Sequence, residues 1–138
     1  MKLKLSIYPD EGLLYATYSG KFLLADSERI FLQIIEAGKR HKVQKVLVDG
    51  RAVTGSLQTL ERFCYGAFVA EKAFELSCHA KFAYVLKEPV LDPERFGETV
   101  AINRGMFVKA FDNIKDAEQW LGTNLDNKSI ALDDAIKN

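Results

Sequence analysis

The chain is poor in the residues that carry covalent and metal chemistry. It has two cysteines and two histidines in 138 residues. Cys64 and Cys78 form no CxxC pair, and neither has a histidine pair nearby at zinc spacing. Cys64 reads as a small buried hydrophobe on a helix. Cys78 sits beside His79 at a helix-to-strand junction, where sequence neighbours seldom face each other as a thiolate–imidazole pair must. His41, between Arg40 and Lys42, reads as a solvated helix-end residue. The phosphate-cradling P-loop, the Gly-x-Gly-x-x-Gly turn, the metalloprotease helix and the Gly-x-Ser-x-Gly elbow are all missing. These absences point away from metals, cofactors and catalysis.

Charge of one sign is also lacking. Nineteen basic residues balance nineteen acidic ones, and they are scattered. Nucleic-acid binding draws on clustered Lys and Arg, so it is not expected. No apolar run approaches the ~20 residues that cross a bilayer. The first residues carry two lysines but no apolar leader core before Pro9 and Asp10. The expectation is a cytoplasmic protein.

What is present suits one globular domain: a 48 % hydrophobic share and a 28 % charged share. Leu3, Leu5 and Ile7 alternate with polar residues as a half-buried strand. Pro9–Gly12 is a turn, and Leu13–Ser19 a second strand, which makes an antiparallel hairpin. Ile30, Phe31, Ile34 and Ile35 then recur at helical spacing, with basic residues at the negative helix end. Lys45–Asp49 reads as a third strand, followed by a polar loop and a long helix from Ser56 to about Leu76. On that helix Leu60, Phe63, Cys64, Ala67 and Phe74 form the predicted inner face, and Tyr65, Phe68 and Val69 widen the apolar surface. A fourth strand over Lys81–Leu86, a helix from Glu94 to Arg104 ending at Gly105, a fifth strand over Met106–Phe111 and a last helix capped by Asp112 or Asn113 complete the pattern. Residues 1–122 read as the domain and 123–138 as a frayed or loosely docked tail, in which Ile130, Leu132 and Ile136 form at most a weak amphipathic turn. The order β-β-α-β-α-β-α-β-α predicts a mixed five-stranded, mostly parallel α/β sheet with right-handed crossovers.

Three local patterns carry a resemblance. They are Val46-Leu47-Val48-Asp49-Gly50-Arg51 with Gly55 after it, Ala101-Ile102-Asn103-Arg104-Gly105 before the fifth strand, and the terminal Phe111, Ala117 and Trp120-Leu121. With the element order, they resemble the SpoIIAA-like, or STAS-related, family over roughly Leu3 to Gly122. The resemblance implies the fold shared with lipid-binding CRAL-TRIO domains. It also implies a bacterial regulatory role, since the best-understood members are anti-sigma-factor antagonists phosphorylated at the start of the helix after the third strand. That region here reads Thr54-Gly55-Ser56, without the family's Asp-Ser-Ser-Gly phosphorylation motif.

The candidate site gathers around the third strand's end. Asp49 and Arg51 could grip a ligand, or pair with each other or with Arg104. Asn103 and Arg104 also suit a helix end without any further role. Thr54 and Ser56 could be binding or phosphorylated hydroxyls, and Ser56 is equally suited to be an N-cap. The third, fourth and fifth strands each carry consecutive apolar residues and so need cover on both faces. If the helices stack on one face, the other must be covered by the tail, by a lid carrying Tyr65, Phe68 and Val69, by a second subunit or by an apolar ligand. The leading reading is a non-enzymatic regulatory or binding module for a partner protein or a small ligand, which could be apolar or lipid-like, with homodimerisation through exposed apolar surface. The other readings are a phospho-regulated antagonist switched at Ser56 or Thr54, and a small-molecule enzyme at the Asp49–Arg51 loop.

Overall fold

The computed structural model describes residues 1–132. Strands β1 (Lys2–Tyr8) and β2 (Leu13–Lys21) form the expected antiparallel hairpin, joined by a 3-10 turn over Pro9–Glu11. Gly12 closes the turn at φ 60°, a conformation that costs glycine nothing. Its carbonyl then accepts from the backbone N–H groups of Gln44 (3.1 Å) and Lys45 (3.2 Å), which pins the turn to the start of the third strand. Helix α1 (Leu24–His41) buries Ile30, Phe31, Ile34 and Ile35, and ends as Lys42 turns left-handed at φ 55°.

Strand β3 (Lys45–Thr54) is the centre of the sheet, with Val46, Leu47 and Val48 all buried. It runs five residues beyond the expected end at Asp49, because its register with β2 shifts between Thr17 and Ser19 and pairing then resumes as far as Thr54. Helix α2 (Thr59–Ala73), β4 (Lys81–Val85), α3 (Phe96–Asn103), β5 (Phe107–Phe111) and α4 (Ile114–Leu121) follow. The sheet order is β5-β4-β3-β2-β1-β6, parallel from β2 to β5.

One expectation is corrected. The sheet is covered on both faces by its own helices. The larger core joins the sheet to α1, α2 and α3, and the smaller packs Ala117 and Leu121 of α4 against Leu13, Leu47, Ala83 and Val85. Trp120 closes this second core by stacking near Phe107 and Phe111, at ring-centroid distances of 5.3 and 5.8 Å. Helix α4 thus supplies the cover that had been assigned to a tail, a lid, a partner or a ligand. As far as Leu132, the tail is held against the domain by hydrogen bonds. Glu11 accepts from the Asn124 N–H (2.7 Å) and the Asn127 side chain (2.8 Å), and Ile130–Ala131 form a short sixth strand β6 against Ser6 and Ile7. Ile136 lies outside the described residues.

Candidate functional site

Asp49 points to the α4 side of β3, together with Leu47. Its carboxylate accepts from Tyr15 Oη (2.8 Å) and from Arg51 three times: Nε (3.0 Å), Nη2 (2.9 Å) and the backbone N–H (3.2 Å). A carboxylate has about four lone-pair sites, and these four bonds fill them. Burial pushes the Asp49 carboxyl up, but the hydrogen bonds from Arg51 and Tyr15 outweigh it and hold the group below the usual carboxylate range. Burial and the same carboxylate push Tyr15 well above the usual phenol value. The carboxylate has no acceptor site left for a ligand.

Arg104 does not join it. Its guanidinium lies 5.1 Å from the centre of the Phe63 ring, and Nη1 donates back to Val100 O at 3.4 Å. Asn103 is the exposed last residue of α3. Thr54 is the exposed last residue of β3, and its carbonyl accepts from the Phe22 N–H at 2.8 Å. Ser56 is exposed in the loop, and the expected N-cap role is corrected: α2 begins three residues later, with Gln58 as N-cap and its N–H bonded to Glu61 Oε1 at 2.8 Å. Cys78, His41 and His79 are exposed, and Cys64 is half-buried. Among the described residues, no group of three or more His, Cys, Asp or Glu could hold a metal ion, and no helix is long and apolar enough to cross a membrane.

The faces of α2 are also corrected. Its buried residues are Gly66, Val69, Ala70 and Ala73, and Tyr65 and Phe68 pack against the same large core. Tyr65, Phe68 and Val69 therefore face inward rather than forming a partner surface. The side chains predicted inside are outside: Leu60 is 69 % exposed, Phe63 40 % and Phe74 46 %. The cause is the close approach of α3. A Cβ on Gly66 would lie 2.5 Å from Gly97 O, so the smallest residues of α2 mark its inner face.

Under α2 and α3 lies a cavity of about 100 Å³, near the C-terminal ends of the parallel strands. In open α/β sheets that end is where ligands bind. Tyr18 of β2, Tyr84 of β4 and Tyr65 of α2 meet there. The Tyr65 and Tyr84 hydroxyls are 3.0 Å apart, and Tyr18 interacts with Tyr65. Burial above all pushes all three phenols far above the ordinary value, so they remain neutral donors. Gly50 makes the gathering sterically feasible: a Cβ there would lie 2.9 Å from Tyr18 Cε1 and 2.8 Å from Leu86 Cδ2. At the rim, Arg62 donates to Val90 O (2.8 Å) and Pro89 O (2.7 Å), and Arg95 donates to Ala110 O (2.6 Å).

The sequence reading missed Tyr18, Tyr84, Arg62 and Arg95. A glycine in mid-helix at position 66, which costs about 1 kcal/mol relative to alanine, was the signal that could have exposed the α2–α3 contact.

No protein-family model matches the chain. A search of curated proteins finds no match either. Among solved structures, the chain is similar to the crystal structure of an anti-sigma factor antagonist from Mycobacterium paratuberculosis, with a TM-score of 0.59 and 16 % identity over 86 % of this chain and 92 % of that one. The likeness shows that the chain has the SpoIIAA-type, STAS-like fold that its motifs resemble.

Proposed function

We propose that this protein is a non-enzymatic, STAS-like regulatory module that binds a partner protein, as its structural neighbour's description as an anti-sigma factor antagonist implies for that protein. One observation carries the reading: Leu60 and Phe63 of α2, with Phe74 at its C-terminal cap, stand exposed on one element. A partner's apolar anchor could cover this stripe. Arg104, beside Phe63, adds a fixed cation, so the partner should present a carboxylate next to its apolar anchor. The saturated Asp49 trio weighs against the alternative of an enzyme at that loop, since catalysis there would need a free base or acid.

The test is capture of the tagged full chain from its native cell, in parallel with a Leu60→Asp/Phe63→Ser variant. Both positions are exposed, so the variant should keep the wild-type circular dichroism. It should lose the partner by about tenfold or more. Recovery of the same proteins in the same amounts by both would end the proposal.

A further inference from the structure

Hydroxyl bookkeeping singles out the cavity. Each tyrosine brings one O–H donor. Tyr65 and Tyr84 share one bond, Tyr18 interacts with Tyr65, and Tyr18 and Tyr84 have no hydrogen bond to each other. The three hydroxyls therefore do not close a ring, and at least one O–H remains to donate elsewhere. A buried donor left without a partner costs more than a spare lone pair does. All three tyrosines line the cavity, so an occupant there is a candidate acceptor for that O–H.

The rest of the lining limits the occupant. Val69, Leu86, Leu91 and Val108 are apolar. The charged residues at the rim cancel, Arg62 and Arg95 against Asp92 and Glu98. Both arginines are also committed to backbone carbonyls, so no free cation invites an anion. The volume, about 100 Å³, is somewhat below the ~150 Å³ of an apolar cavity known to admit benzene. The cavity is also partly open, so a ring lodged in it can extend a substituent past the rim.

We propose that the cavity bounded by Tyr18, Tyr65 and Tyr84 is a binding site for a neutral, ring-sized, mainly apolar ligand carrying one hydrogen-bond-accepting oxygen. The site lies beneath α2, whereas the partner-binding stripe lies on that helix's outer side. The two proposals are therefore tested separately, and either can fail alone.

The experiment is a two-dimensional amide NMR titration of the full chain with acetophenone, ethylbenzene and benzoate. Acetophenone has the ring and the acceptor, ethylbenzene the ring alone, and benzoate a charge. Acetophenone should shift amides around Tyr18, Tyr65 and Tyr84 and bind about twofold to twelvefold more tightly than ethylbenzene, the range of one net hydrogen bond. Benzoate should bind more weakly than acetophenone. In Tyr84→Phe and Tyr65→Phe the preference for acetophenone should shrink while ethylbenzene still binds. The proposal is overturned if acetophenone shifts nothing at millimolar concentration, if ethylbenzene binds equally well to the wild type, or if benzoate binds best. The wild-type comparison decides even where a variant fails to fold.

Discussion

Asp49 and Tyr84 stand on adjacent central strands, yet their surroundings are built in opposite ways. On the α4 face, Asp49 meets Tyr15 and Arg51, and four hydrogen bonds fill its capacity. On the other face, Tyr84 meets Tyr65 and Tyr18, and the three hydroxyls leave a donor over beside a cavity. The first cluster stiffens a strand end, where β3 leaves its first register with β2. The second is the kind of arrangement a ligand completes. A cluster's chemistry is better judged by what it has left to give than by how many titratable groups it contains.

The largest effect that separates the faces should come from their cores. Phe31 is fully buried against Phe82 and Tyr65, and Phe31→Ala should cost about 3–5 kcal/mol. Leu121→Ala on the α4 face should cost about 2–4 kcal/mol, because its half-buried neighbours Trp120 and Leu125 can collapse into part of the gap. Urea unfolding of the two variants checks the order. A larger loss for Leu121→Ala would reverse the order and make the α4 core the stronger of the two.

The comparison also explains what could be read from the sequence. The apolar run Val46–Val48 announced a buried strand, and the 3-4 spacing of Ile30, Phe31, Ile34 and Ile35 announced α1 correctly, because both depend on local periodicity. The inner face of α2 was misread because counting large apolar residues assumes that large means buried. Helix α3 reverses that rule at Gly66, where it comes so close that no side chain fits between the two helices. The Asp49–Arg51 pair was legible because its partners are two residues apart. The tyrosine cluster was not, since Tyr18, Tyr65 and Tyr84 meet only once β2, β3 and β4 are ordered and Gly50 clears the way. Cover of the second face by α4 was missed for a similar reason: periodicity gives a helix but not the side of the sheet on which it lands.

The next effect in size belongs to the closed cluster. Asp49→Asn should cost about 1.5–3 kcal/mol at pH 7, the range for hydrogen bonds to a charged group. The native state holds this carboxyl below its ordinary value near 3.9, so its stabilising effect is complete above that pH and is lost as the pH falls through the lower native value. The gap between wild type and variant should therefore close under acid. Urea midpoints measured from pH 7 down to pH 3 follow it, and a constant gap would show that the Asp49 charge contributes nothing to folding.

The smallest effect at neutral pH belongs to the open cluster, and it should grow at the other end of the scale. Tyr84→Phe removes one hydroxyl but keeps the ring edge-on to Tyr65 at 6.3 Å, so at pH 7 it should cost no more than about 1 kcal/mol. Burial raises the native Tyr84 phenol far above the ordinary value near 10. The unfolded chain ionises this group once the pH passes that value, and the native chain does not. The tyrosine's contribution is thus intact below pH 10 and is lost as the pH rises through the native value. Phenylalanine has nothing to ionise, so the variant should lose stability less steeply than the wild type above pH 10, and the small gap should narrow. Urea midpoints from pH 8 to pH 11 read this directly. Parallel curves would mean that Tyr84 ionises as freely in the folded chain as in the unfolded one. Its hydroxyl would then lie in water, and the cavity would be too wet to favour an apolar ring.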